Sequence, residues 1–154
     1  MGQDWKVVQG LEWGVSQLSM KGTNGDNTIV WNFPVDITFK SSNAHGWPKV
    51  VVSIYGLDGM GRDVIRGYAA MHIPTVPGTY TRYLNAFTPT SSSTLQDFIA
   101  WLTGNRPEFF NAKFVAEGDG RELTRVKSSG VIKVKINVMT RGMEAFGFSV
   151  TKQK

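Results

Sequence analysis

The stretch GVIKVKINVM (residues 130–139) decides the fold, because its apolar and polar residues alternate. The apolar phase consists of Ile132, Val134, Ile136 and Val138. The polar phase consists of Lys133, Lys135 and Asn137. Successive side chains of a β-strand point to opposite faces of the sheet, so this pattern predicts a strand with one face on a core and the other in water.

A second stretch, VWNFPVDITFK (residues 30–40), alternates in the same way and predicts another strand. Pro34 has no N–H to donate to a ladder, which indicates a sheet edge or a bulge at that point. Apolar runs predict further strands at residues 49–55 and 64–73, and less regular patterns do so at 14–20, 79–84 and 113–117. Turn-forming pairs separate these segments: Asn24-Gly25, Asp58-Gly59, Pro77-Gly78 and Asp119-Gly120. Many short strands joined by such turns predict an antiparallel sandwich or barrel.

Residues 93–103 have a helical period instead of a strand period. Leu95, Phe98, Ile99 and Leu102 follow the i, i+3, i+4, i+7 spacing of an amphipathic helix. Ser93 or Thr94 supplies an N-cap, and Gly104 followed by Pro107 ends the segment. The sequence therefore predicts one short helix inserted between strands.

The chain of 154 residues predicts a single domain over residues 1–150, followed by a basic tail at 151–154. There is no cysteine, which excludes disulfides, thiolate metal sites and a cysteine nucleophile. No apolar run approaches the roughly 18 residues of a spanning helix, and the start of the sequence does not resemble a signal peptide. We therefore expect an intracellular protein that does not span a membrane.

The net charge of +5 is unevenly distributed along the chain. Residues 1–110 contain eight basic and eight acidic residues, whereas residues 111–154 contain nine basic and four acidic ones. A hairpin around Ser128, Ser129 and Gly130 would bring the basic residues onto one sheet face, made of Arg125, Lys127, Lys133 and Lys135. Such a face fits an anionic lipid headgroup or an acidic protein, and the alternative is an ordinary solvated strand face. We expect no exposed aromatic side chain among these cations, and therefore no nucleic-acid partner.

Catalytic and metal-binding patterns are not found. The two histidines, His45 and His72, stand apart from any nucleophile or paired ligand, and a structural role is expected for both. The glycines of GLDGMGRD (residues 56–63) precede a strand, so they lack the helix N-terminus of a phosphate site. Loop aspartates at 26, 58, 63 and 119 are scattered and have arginine neighbours, which disfavours calcium. We expect a binding protein and not an enzyme, with no cofactor, no metal and no small-molecule substrate.

Four long blocks of the sequence resemble the B9-domain family: VWNFPVDITFKS, GWPKVVVSIYGLDGMGRDVIRGYAAMHIP, LQDFIAWLTGNRPEF and VAEGDGRELTRVKSSGVIKVKINVMTRGM. The resemblance extends from Gly2 to about Phe148 and rests on the order of these blocks, since no single short motif decides it. It implies a divergent C2-like β-sandwich without enzymatic activity. The family member that this chain resembles most carries about one or two further strands before the block at Gly2. The resemblance therefore implies a sandwich that lacks its N-terminal strand or strands and exposes a sheet edge.

The same resemblance implies a function and a location. Members of the family act at the basal body and the ciliary transition zone, in the cytoplasm and cytoskeleton. They assemble with other B9-domain proteins and with tectonic proteins into a gate that restricts the entry of membrane proteins, and they support ciliogenesis and Hedgehog signalling. Candidate protein contacts are Trp5, Trp13 and Trp47, for which packing in the core or at a strand edge is the alternative. A peripheral membrane module that binds anionic phospholipids is the alternative function.

Overall fold

A computed structural model describes residues 1–89 and 126–147 of the chain. Its strands, in chain order, are β1 (Trp5–Gly10), β2 (Ile37–Ser41), β3 (Lys49–Leu57), β4 (Asp63–His72), β5 (Gly78–Pro89) and β6 (Val126–Val138). A short 3-10 helix, Glu144–Phe146, follows β6. The predicted helix at 93–103 and the predicted strand at 113–117 lie outside the described residues. Among the described residues, no helix is long and apolar enough to cross a membrane.

Two antiparallel sheets make up the described chain, and they fall in two compact units, Met1–Trp47 and Pro48–Lys154. The first sheet pairs β1 with β2, and the second has the strand order β3-β4-β5-β6. The predicted fold class is thereby confirmed: the protein is all-β and antiparallel, consistent with a C2-like β-sandwich. The single-domain boundary at 1–150 stays a prediction.

The strand predicted at residues 30–40 is shorter in the structure, because β2 begins only at Ile37. Asn32 has a left-handed backbone (φ 48°), which interrupts an extended strand, and Pro34 cannot donate to a ladder. Phe33 and Val35 are consequently exposed instead of facing a core. The strand predicted at 14–20 is also wrong, since residues 11–36 form no strand. Alternation in sequence is necessary for a half-buried strand, but it does not provide the backbone pairing.

Strand β4 is an inner strand of the second sheet and is buried on both of its faces. Ile65 is 0% exposed and packs with Tyr68 on one face, beside the half-buried Phe87 of β5. On the other face, Ala69 packs with Ala86 of β5 and Ile132 of β6. The predictions of strands at 49–55, 64–73, 79–84 and 130–139 are confirmed, and in the structure β5 and β6 are longer than predicted.

A bulge interrupts the pairing of β5 with β6. Ala86 lies opposite Gly130, but the next residue, Phe87, lies opposite Ser128, so Ser129 is an extra residue on β6. The small residue at Gly67 makes room for it, because a Cβ at Gly67 would lie 2.4 Å from the Ser129 hydroxyl oxygen. From Val131 to Val138 the pairing runs without a shift. This bulge decides which side chains of β6 share a face.

A candidate binding face on strands β5 and β6

Two of the predicted lysines lie side by side on an open sheet face. Lys133 is paired with Tyr83 and Lys135 with Thr81, and all four side chains are exposed. Residues that lie opposite each other in a ladder present their side chains on the same face. Two residues along a strand are about 7 Å apart, so the two ammonium groups are close enough to engage neighbouring anions.

The surface around these lysines is made of four cross-strand pairs, which we call the β5–β6 face. Its members are Thr79 and Asn137, Thr81 and Lys135, Tyr83 and Lys133, and Asn85 and Val131. All eight side chains are exposed, and the set contains two cations and no carboxylate. An anion that contacts this face therefore meets positive charge without an acidic neighbour to oppose it.

Tyr83 gives the β5–β6 face an aromatic side chain, contrary to the expectation of a basic surface without one. The Lys133 ammonium lies 5.9 Å from the centre of the Tyr83 ring, within the range of a cation–π contact. Tyr83 is 67% exposed, so much of its side chain remains accessible to a ligand. The exposure of Tyr83 could have been predicted from the sequence, because Tyr83 follows Thr79 and Thr81 on the polar phase of the strand predicted at 79–84. The pairing that places Tyr83 beside Lys133 could not be predicted from the sequence.

Lys127 does not belong to the β5–β6 face, and the hairpin predicted around Ser128 and Gly130 is wrong. Residues 126–138 form one continuous strand, with Lys127 opposite Thr88. Thr88 is on the opposite phase of β5 from Thr81 and Tyr83, so the register puts Lys127 on the other side of the sheet. The extra residue at Ser129 is the physical reason, because it reverses the alternation of side chains along β6. Arg125 lies outside the described residues.

The three predicted contact tryptophans have different surroundings. Trp5 is half-buried; its ring meets that of Trp47 edge to face at 4.9 Å, and its indole N–H donates to the carbonyl of His45 at 2.9 Å. The indole nitrogen of Trp47 is buried and has no hydrogen-bond partner. Trp5 and Trp47 are therefore packed within the first unit, which is the alternative given for them above. Trp13 is 80% exposed and is the only one of the three that a partner could cover over most of its surface.

The carboxylate of Asp58 stabilises the turn between β3 and β4. The Asp58 carboxylate accepts the backbone N–H groups of Met60 and Arg62 at 2.8 and 2.9 Å and forms an ion pair with the Arg62 guanidinium at 2.8 Å. The backbone N–H of Arg62 is the main cause that lowers the pKa of Asp58 to about 2. Its oxygens are thus occupied inside the turn that joins β3 to β4. Within residues 1–89 and 126–147, no three histidine or carboxylate side chains group together as a metal site would require.

Comparison with known proteins gives a consistent set of matches. The family model described as "Ciliary basal body-associated, B9 protein" matches residues 1–139. B9 domain-containing protein 1 of Xenopus laevis is 51% identical over 96% of this chain and 75% of its own length. The mouse protein of the same name is 49% identical over 96% of this chain and 72% of its own length. B9 domain-containing protein 2 of Xenopus laevis is 28% identical over 95% of this chain and 81% of its own length. No solved structure matches the chain.

Proposed function

This chain belongs to the B9 family of ciliary basal body-associated proteins, and on that premise we propose that it is a non-catalytic scaffold subunit of the ciliary transition zone. The proposed assembly contains other B9-domain proteins and tectonic proteins. Its role is to restrict the entry of membrane proteins to the cilium, and thereby to support ciliogenesis and Hedgehog signalling. The observation that carries the proposal is the identity of 51% over 96% of the chain to a B9 domain-containing protein 1.

The described surface supports a binding role for the chain. The β5–β6 face is an open sheet surface with eight exposed side chains, which is suited to contact with a macromolecule. In the other unit, Trp13 is flanked by exposed apolar residues, Leu11 at 78% and Val15 at 80%. Exposed aromatic side chains with apolar neighbours are typical anchors of protein–protein interfaces.

Location and co-purification in ciliated cells test the scaffold proposal. We expect the tagged chain to concentrate at the ciliary base and to co-purify with B9 and tectonic proteins. Trp13→Ala should reduce this recovery at least tenfold, because aromatic hot spots cost about 2 kcal/mol or more when truncated. Met139→Ala is the matched control, since Met139 is 86% exposed but lies in the other unit. A tagged protein that spreads through the cytoplasm and is purified alone would refute the proposal.

A second candidate function, a peripheral membrane module, is favoured by the two lysines of the β5–β6 face. Each lysine near an anionic membrane surface contributes about 1 kcal/mol, so losing two of them lowers binding roughly 30-fold. We expect vesicles containing phosphatidylserine to float with the protein at low salt and to release it as the salt concentration rises. The double variant Lys133→Glu, Lys135→Glu should lose flotation, whereas Lys127→Glu on the opposite face should keep it. Equal flotation of all three proteins would exclude lipid binding through this face.

A further inference from the structure

Strand β6 ends the strand order β3-β4-β5-β6, and its outer edge pairs with no strand among residues 1–89 and 126–147. The strand has 13 residues, and the eight from Val131 to Val138 lie beyond the Ser129 bulge in regular register with β5. Every second residue of such an edge directs its backbone N–H and C=O away from the sheet. A regular edge of this length is able to accept another strand.

The two sides of this edge differ in chemistry. On one side the β5–β6 face presents the exposed Lys133 and Lys135. On the other side Val134 and Ile136 are half-buried, and Val134 packs against the cluster that contains Ile132. A strand added at the edge would thus meet two ammonium groups on one face and an incompletely covered apolar row on the other. Strand β3, the other end of the order, has an apolar pattern without a comparable charge, so nothing there specifies a partner.

Pairing of two copies of β6 about the middle of its regular segment is disfavoured by the positions of the lysines. Antiparallel pairing about Val134 sets Lys133 of one copy opposite Lys135 of the other. Pairing centred on Lys133 or on Lys135 sets that lysine opposite itself. Directly opposed like charges destabilise a ladder, whereas directly opposed unlike charges stabilise it. Lys133 and Lys135 therefore disfavour self-pairing in these registers and favour a strand with carboxylates at the facing positions.

We propose that the outer edge of β6 binds an extended acidic segment of a partner protein, which adds a strand to the sheet. Glutamate or aspartate at alternate positions of that segment lies opposite Lys133 and Lys135, and the apolar residues between them cover Val134 and Ile136. The inference extends the scaffold function proposed above by naming a surface and a partner chemistry. It is testable without ciliary proteins, so either proposal can fail while the other stands.

A fluorescein-labelled, end-blocked peptide that alternates glutamate with valine over seven residues tests the edge in the full chain. We expect saturable binding by fluorescence anisotropy, and about tenfold weaker binding to the double variant Lys133→Glu, Lys135→Glu, because two cross-strand charge pairs change sign together. A peptide with lysine in place of each glutamate should show the reverse preference. Lys127→Glu, on the opposite face of the same strand, should bind the acidic peptide as the unaltered protein does.

Hydrogen exchange of the β6 amides separates strand addition from contact with the face alone. In the free protein, the amides that point away from β5 between Val131 and Val138 should exchange rapidly, and the acidic peptide should protect them. Full protection of these amides before the peptide is added would show that the edge is already covered and would overturn the proposal. Binding of phosphatidylserine vesicles without any binding of the acidic peptide would overturn it as well, in favour of a lipid surface.

Discussion

Replacing Ile65 by alanine tests whether β4 is a buried inner strand of the second sheet. Ile65 is 0% exposed and packs against Tyr68, with Val51, Ala70 and Phe87 around them. The change removes three buried carbon atoms, which corresponds to about 2.4 kcal/mol at roughly 0.8 kcal/mol for each. The cavity left between packed neighbours adds to this loss, so we expect the free energy of unfolding to fall by about 3–4 kcal/mol.

Urea unfolding followed by tryptophan fluorescence and far-UV circular dichroism measures this loss. For a chain of 154 residues, a loss of that size lowers the melting temperature by roughly 10 °C. Ile29→Ala is the matched control, because it removes the same atoms from a side chain that is 42% exposed. We expect this control to cost less than about 1 kcal/mol.

Two results would contradict the reasoning. One is a loss below about 1 kcal/mol for Ile65→Ala, which would mean that the residue is not enclosed by β3 and β5. The other is an equal loss for Ile65→Ala and Ile29→Ala, which would mean that burial does not distinguish the two sites. An intermediate conservative change, Ile65→Val, should cost about 1 kcal/mol, since it removes one carbon atom.

Two further predictions concern the end of β1 and the turn between β3 and β4. Gly10 has a φ of 93°, and a Cβ there would lie 2.2 Å from the carbonyl oxygen of Asp36, so Gly10→Ala should destabilise the pairing of β1 with β2 by at least about 1–2 kcal/mol. Gly59→Ala is its control, because a Cβ at Gly59 meets no atom within 4 Å; equal urea midpoints for the two variants would contradict the prediction. The pKa of Asp58 is lowered to about 2 in the fold, from an ordinary value of 3.8. Its contribution to stability is therefore complete above about pH 5 and is lost as the pH falls through 3.8 towards 2. Urea midpoints between pH 5 and pH 2.5 should therefore depend less on pH in Asp58→Asn than in the unaltered protein. An identical dependence of the urea midpoint on pH in the two proteins would show that the turn does not hold the carboxylate in its ionised form.

Strands were predicted correctly where the alternation of apolar and polar residues coincides with a backbone that pairs with a neighbouring strand. In β6 the alternation of Ile132, Lys133 and Val134 matches their burial in the structure. In residues 30–36 the same alternation is present, but the left-handed Asn32 and the missing donor of Pro34 prevent the backbone from entering a ladder. The alternation of side chains predicts which face a strand would bury. Whether the strand forms at all depends on backbone hydrogen bonding, which the side-chain pattern does not predict.

The candidate site was predictable in part. Lys133 and Lys135 share a face because they are two residues apart on a regular strand, and this follows from the sequence alone. Lys127 is six residues from Lys133, an even spacing that predicts the same face, and only the bulge at Ser129 puts it on the other. Tyr83 joins the site because β5 pairs with β6, a contact across 50 positions of the chain that no local pattern encodes.

The sequence by itself determined the all-β class, the positions of most strands, the family and the excess of positive charge in the last third of the chain. The class, the strands and the charge follow from local alternation, turn residues and composition, each of which acts over a few neighbouring residues. The family follows instead from the resemblance of four long blocks, in order, over nearly the whole chain. The tertiary structure alone decided that β4 is buried on both faces, that Trp5 packs on Trp47, and that the edge of β6 carries charge on one side and apolar surface on the other. These properties depend on strand order and cross-strand register, and a single extra residue such as Ser129 is enough to reverse which side chains meet.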